Sequence, residues 1–176
     1  MPRRTRLLVI ALATMFTGFQ PISLTRAGED PAAGIVADLD GVAIPPTDAG
    51  QHFCHDFDFP AIHCYSTAAA LEEAMVAPTS EGEASTMAAY ASSAYVTVYS
   101  APGYDGSYAH LSQNYDGLWV IGWNDRIRSF KARNSARGSF HTDWYADGSR
   151  LDFCCNSNVP QLGSTFNGTI SSVYRR

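Results

Sequence analysis

The sequence predicts an all-β protein: a Greek-key β-sandwich of two motifs over residues 95–176, preceded by a short cysteine-containing segment with one helix. Three observations predict it. From Tyr95 onward apolar and polar residues alternate with period two, as in Tyr95-Val-Thr-Val-Tyr99. Turn residues punctuate this stretch at short intervals, and no amphipathic helical pattern interrupts it up to the C-terminus. The stretch also repeats itself, because Trp123-Asn-Asp-Arg-Ile-Arg-Ser-Phe130 returns 43 positions later as Phe166-Asn-Gly-Thr-Ile-Ser-Ser-Val173. Two copies of about 40 residues, each with four short strands, suit two Greek keys that close one sandwich.

The elements follow in order. Arg3, Arg4 and Arg6 precede an apolar run, Leu7 to Phe16, and Thr25-Arg26-Ala27 offers a small-x-small cleavage site, so residues 1–27 read as a signal peptide of a secreted protein. That run is too short to span a bilayer, and no later stretch is as long and as apolar as a membrane helix must be, so no membrane span is expected. Residues 28–94 form an acidic front. Within it, Pro31 to Gln51 reads as a mobile linker, and Phe53, Phe57 and Phe59 mark an extended piece between Cys54 and Cys64. Ser66 is placed to cap a helix over Thr67 to Val76, with Leu71 and Met75 on its apolar stripe, Glu72 and Glu73 on its wet side, and Pro78 as its stop. Thr79 to Ser93 reads as a second linker. The β-domain then divides into motif one, 95–131, and motif two, 138–176; its first hairpin pairs Tyr95–Tyr99 with Ser107–Leu111 around the turn Ala101-Pro-Gly103.

The formal net charge of -5 hides a polarity: residues 1–27 carry +4, residues 28–90 carry -11, and residues 91–176 carry +2. Opposite signs favour the front lying on the back, or both binding a common partner. A net negative chain is a poor match to nucleic-acid phosphates. The four cysteines, Cys54, Cys64, Cys154 and Cys155, imply disulfides in an exported chain. Neighbouring strand residues point to opposite faces, so Cys154 and Cys155 are not expected to pair with each other. Two arrangements remain: each of them bonds one front cysteine and staples the front to the β-domain, which is favoured, or Cys54 closes a loop with Cys64 and leaves two thiols.

Two signatures accompany the repeat. Tyr99, Tyr104 and Gly106 have the spacing aromatic, four residues, aromatic, one residue, Gly, followed by Asn124, Asp125 and Ser129; Asn167, Ser171 and Ser172 supply the matching tail of the second copy, with Phe140, Tyr145 and Gly148 upstream of it, one residue out of step. At these residues the chain resembles the βγ-crystallin family, in particular the secreted microbial branch that includes the family I36 metallopeptidase inhibitors. The resemblance covers residues 95–176. It implies that Gly106 takes a positive φ in a folded hairpin, that Tyr104 packs on that hairpin, and that Ser129 and Ser172 hydrogen-bond its backbone. It also implies a calcium site at each Asn/Asp-rich tail. Arg128 and Gly168 stand where one ligand of each tail belongs, so calcium is expected first at Asn167, the Thr169 carbonyl and Ser171, and only then at Asn124 and Asp125. No other cofactor is implied.

His52, Cys54, His55, His63 and Cys64 crowd together but match no zinc-site spacing. No nucleophile elbow, metalloprotease helix or phosphate loop occurs, and His55-Asp56 and His141-Thr-Asp143 stand without a nearby nucleophile, so no enzyme is expected. Binding remains. By resemblance the partner is an extracellular metallopeptidase, with the exposed segment Asn156 to Leu162 as the candidate loop on a monomeric inhibitor. The alternatives are a structural or envelope module that stacks glycans on Tyr108, Tyr115 and Trp119, whose simpler reading is sandwich core, and a small antimicrobial toxin.

Overall fold

The computed structural model describes residues 34–76 and 93–176. The expected signal peptide and nearly all of the expected second linker lie outside the described residues. The strands are β1 Val36–Leu39, β2 Val42–Ile44, β3 Phe53–His55, β4 Ala61–Tyr65, β5 Tyr95–Ala101, β6 Asp105–Leu111, β7 Ser129–Arg133, β8 Gly138–His141, β9 Arg150–Phe153, β10 Asn158–Val159 and β11 Ser172–Arg175, with one α-helix, α1 Ala68–Val76, between β4 and β5. They form an eight-stranded sheet in the order β10-β7-β5-β6-β3-β4-β1-β2 and a three-stranded sheet β11-β8-β9. Among the described residues no helix is long and apolar enough to cross a membrane.

The sandwich is closed by exchange between the two motifs. β10 of motif two adds to β7 of motif one, with Val159 opposite Phe130. In return Tyr115 of motif one bridges to Val173 of β11. Between the sheets lie Val96 and Val98, on the face the alternation from Tyr95 sets, together with Phe130, Phe140, Ile170 and Val173, all essentially without exposure. Phe130, Phe140 and Phe153 interlock at centroid distances of 4.9 to 5.9 Å. Tyr115 is buried in the sandwich core, Tyr108 is buried in a separate cluster on the outer face of the large sheet, and Trp119 is exposed.

The front departs from expectation. The stretch read as a linker contains β1, β2 and a short 3-10 helix, Pro46–Gln51. Asp40 and Gly41, both at positive φ, close the β1–β2 hairpin; an Asp-Gly pair is a strong two-residue hairpin signal, hidden here by flanks too short to show a period. β3 runs parallel to β6, with Phe53, Cys54 and His55 opposite Tyr108, Ala109 and His110. The front therefore continues the sheet of the β-domain instead of resting on it by charge. Gly50 fits this junction because a Cβ there would come 2.0 Å from the carbonyl oxygen of Gly122.

Helix α1 starts one residue later than expected, since Thr67, not Ser66, caps it by accepting the Ala70 N–H at 3.1 Å. Its Leu71 is fully buried on the outer face of the large sheet against Tyr99 and Tyr108, which contributes about 2 kcal/mol. Glu72 is not purely wet: it accepts the Tyr108 hydroxyl at 2.8 Å.

The favoured staple is not formed. Cys54 bonds to Cys64, its direct cross-strand partner in the β3–β4 pair, and Cys154 and Cys155 are exposed free thiols. The physical reason is register: β3 and β4 set the two front cysteines opposite each other on the core side, while Cys154 and Cys155 sit in the turn after β9.

On the outer face of the same sheet, register aligns Asp38, His63, His55, His110 and Thr97 across five strands. His63 Nδ1 lies 2.7 Å from Asp38, and His110 Nδ1 lies 3.0 Å from the Thr97 hydroxyl. Phe57 stacks over His55 and His110. Burial, then the neighbouring His63, pushes His55 down from 6.5 to about 4; burial, then His55, pushes His110 down to about 3. Between these values and 6.5 the unfolded chain binds more protons than the folded one, so this contribution to stability is complete above pH 6.5 and is lost as pH falls toward 4. Asp56, whose carboxyl burial pushes up against hydrogen bonds from Ser112, Tyr115 and Gln113, works in the opposite sense, so a difference measurement isolates the rings. The urea midpoint of a His110→Gln variant should fall less than that of the parent between pH 7 and pH 4; equal falls would show that His110 is solvated.

Candidate functional site

Both hairpins of the β-domain fold over by the same device, which sets the geometry of one end of the molecule. In motif one the Ser129 hydroxyl donates to the Ala101 carbonyl at 2.7 Å and accepts the Tyr104 N–H at 3.1 Å. In motif two the Ser172 hydroxyl donates to the Asp143 carbonyl at 2.7 Å and accepts the Ala146 N–H at 3.4 Å. Gly106 (φ +78) and Gly148 (φ +73) occupy equivalent turns, where a Cβ would come 2.4 Å from Ser100 Oγ and from Thr142 Oγ1 respectively. The aromatic corner is kept only in motif one, where Tyr99 and Tyr104 meet at 5.5 Å under the Lys131 ammonium. In motif two Ala146 stands in Tyr104's place and Tyr145 beside it, which is the one-residue slip visible in the sequence.

The two Asn/Asp-rich tails cross. The second position of one tail faces the fifth position of the other, so each site is built from both motifs. At one crossing the Ser171 hydroxyl lies 3.3 Å from Asp125 Oδ1, and the Asp125 N–H donates to the Ile170 carbonyl. At the other, Arg128 faces Gly168 and Asn167: its Nη1 donates to the Asn167 carbonyl at 3.2 Å and to its amide oxygen at 3.3 Å. A Cβ on Gly168 would come 2.2 Å from that nitrogen. The two replacements that, read along the chain, damage one site each are therefore brought together in a single site. The first crossing keeps its carboxylate and hydroxyl; the second holds a guanidinium of its own.

The intact crossing opens into a cleft of about 630 Å³, lined by Asn124, Asp125, Thr142, Asp143, Thr169 and Ser171 together with Trp144. Of the residues expected to hold calcium, Asn124, Asp125, Thr169 and Ser171 share this cleft, while Asn167 is engaged by Arg128 across the way. Thr142, Asp143 and Trp144 are not legible as site residues in the sequence, because only the folded second hairpin brings them here. Trp144 Nε1 donates to Asn124 Oδ1 at 3.1 Å, and Asn124 donates to Asp125 at 2.7 Å. Sequence reading also leaves His141 without a hydroxyl partner. It has one: Ser139 Oγ lies 3.0 Å from His141 Nε2, both buried on one face of β8.

A two-motif Greek-key sandwich with crossed tails is thus the class that the fold and the site define. The chain is similar to solved βγ-crystallin domains over a little under half its length. One is from Ciona intestinalis (18% identity, 47% of this chain and 99% of that one, TM-score 0.43). Another is from an archaeon (22%, 48% and 99%, TM-score 0.43), and a third from Flavobacterium johnsoniae (26%, 46% and 92%, TM-score 0.42). No protein-family model matches the chain, and no curated protein matches it.

The contact of Arg128 with Gly168 gives a testable coupling. Gly168→Ala should destabilise the parent protein through both its positive φ and the collision with Arg128. In an Arg128→Ala background the collision is gone, and the penalty should shrink by about 1 kcal/mol in a denaturant double-mutant cycle. Additive penalties would place the guanidinium elsewhere.

Proposed function

We propose that the chain is an exported, non-catalytic binding protein whose β-sandwich takes one calcium ion, at the crossing of Asp125 with Ser171. The observation that carries the reading is the pairing of positions: carboxylate and hydroxyl fall in one crossing, arginine and glycine in the other. Calcium takes six to eight oxygen ligands, water among them. The open cleft offers the Asp125 carboxylate, the Asn124 amide oxygen, the Ser171 hydroxyl and the Thr169 backbone as donors of the right kind. The second crossing does not fit a cation, since Arg128 already brings a positive charge to the carbonyl and amide oxygens of Asn167. Calcium bound here would clamp the second hairpin to the first tail and so act on stability and on the shape of the cleft. Calcium at ten times its dissociation constant should raise stability by about 1.4 kcal/mol, read as an upward shift in thermal melts against chelator. Asp125→Ala should abolish the shift and Asn167→Ala should leave it intact. No shift at millimolar calcium sinks the reading.

The metallopeptidase-inhibitor reading has its own support. Segment 156–162 is exposed at Asn156, Asn158, Pro160 and Gln161, yet its backbone is braced along its length. The Ala132 N–H donates to the Ser157 carbonyl, the Gly103 N–H to Pro160, and the Leu162 N–H to the Arg128 carbonyl. A loop held in one conformation loses little entropy when it enters a cleft. Titration of the oxidised protein against a thermolysin-like protease decides: stoichiometric inhibition without cleavage supports the reading, and digestion or indifference removes it.

A further inference from the structure

We propose that the face formed by Trp119, Trp144 and Tyr145 is a carbohydrate-binding surface for a neutral polysaccharide. Exposure draws attention to it first. Trp119, Trp144 and Tyr145 are 36%, 51% and 66% exposed. They come from two separate segments of the chain, yet the two indoles lie with centroids 6.5 Å apart, tilted by 53°. Large rings left in water next to each other are unusual for a surface whose only task is solubility.

The rings are also held, each by a different device. Trp119 lies along the backbone of Gly117, where a Cβ would come 2.5 Å from its Nε1. Trp144 is fixed by its Nε1 bond to Asn124 Oδ1. Tyr145 sits in the left-handed region (φ 56, ψ 35), and its N–H donates to the Asp116 carbonyl at 2.8 Å. A bulky residue kept in that conformation costs of order 1 kcal/mol, so the hairpin sacrifices stability to present this ring.

The chemistry around the rings selects the ligand. The aromatic faces alternate with acceptors: Asp116, Asp143 and Asp147 are exposed in the same two loops, and Asp125 lines the adjoining cleft. Neither loop, 114–119 nor 142–149, contains a Lys or Arg. A lipid or an apolar peptide would meet carboxylates where it needs apolar contact, and an anionic glycan would meet like charge. A neutral pyranose has an apolar C–H face for the electron-rich ring and hydroxyls at its edge for carboxylate and amide oxygens. The two indoles, 6.5 Å apart and tilted by 53°, present adjoining ring faces on which successive sugar rings stack. This assignment gives the binding reading above a ligand class but does not rest on calcium, since contacts within the chain, at Gly117 and Asn124, already hold the two indoles side by side.

The test uses the full chain in affinity electrophoresis and tryptophan-fluorescence titration with laminarin, xylan, chitin oligosaccharides and polygalacturonate. Each is run in calcium and in EGTA, so that a failed calcium titration and a failed sugar titration are read separately. At least one neutral glycan should retard the protein and perturb its fluorescence. Trp119→Ala and Trp144→Ala should each weaken that binding at least tenfold while the protein still unfolds in one cooperative transition, and Gly117→Ala should weaken it by displacing the Trp119 ring. Absence of binding to every neutral glycan, binding to polygalacturonate alone, or unchanged affinity in both tryptophan variants would overturn the proposal.

Discussion

The crossing of the two motif tails is the constraint on which the rest of the β-domain depends. Ser129 and Ser172 each tie the folded hairpin of their own motif to a strand at the far end of that motif. With both hairpins locked, the tails that precede these serines have one way to run, past each other. Four consequences follow from that path: Asp125 meets Ser171, Arg128 meets Asn167, Tyr115 bridges to β11, and β10 adds to β7. The same few residues thus close the sandwich and compose the cleft. A change at either serine would leave buried polar groups of the hairpin without partners, a loss of about 1–3 kcal/mol, and would disturb sites far along the chain.

The front solves a different problem. A sandwich made only of the two short motifs buries a modest core, and its β6 edge would be open to pairing with other chains. β3 occupies that edge in parallel, and the Cys54–Cys64 bridge fastens β3 to β4 from the core side. Asp56 then reaches from the end of β3 to the N–H groups of Ser112 and Gln113 and the hydroxyl of Tyr115. A buried carboxylate with three donors is a joint that tolerates no sliding of one piece against the other. Charge polarity along the chain points to contact between front and back, and contact is there. Its basis is strand pairing and this joint, while the contacts of His63 with Asp38 and Asp58 stay within the front.

What is legible in the sequence divides along the same physical line. Hairpin turns are local, and the resemblance carried by the repeated signature implies the roles of Tyr104, Gly106, Ser129 and Ser172, whose ties each stay within one motif. The tail crossing joins residues 39 to 46 positions apart, and no spacing rule says which tail faces which. Each tail read by itself looks half-broken; together they set Asp125 beside Ser171 at one crossing and Arg128 on the Asn167 oxygens at the other. Trp144 escapes sequence reading, and Tyr145 is read there only as a motif aromatic, for the related reason that an aromatic in a turn signals core as readily as surface. The disulfide is the less favoured of the two arrangements that the sequence leaves open, because adjacency removes only a Cys154–Cys155 bond and β3–β4 register decides between the others. Composition misleads in the front, where Ala, Gly, Pro and Asp suggest a linker although Asp40-Gly41 already encodes a hairpin.

The two ends of the sheet therefore carry different duties. On the outer face of the large sheet His55, His110, Tyr108 and Leu71 of helix α1 are buried, and burial lowers the proton affinity of both histidines. That surface is consumed by folding. At the crossed tails the chain does the reverse: it leaves Asp125, Asp143, Trp144 and Tyr145 in water and holds Tyr145 in a conformation that a bulky residue avoids. Arg128 is the residue that makes the asymmetry durable. By holding the Asn167 oxygens with its own charge it stabilises one crossing without any outside ion. The other crossing keeps the exposed Asp125 carboxylate beside the Ser171 hydroxyl, and Trp144 lies at its rim.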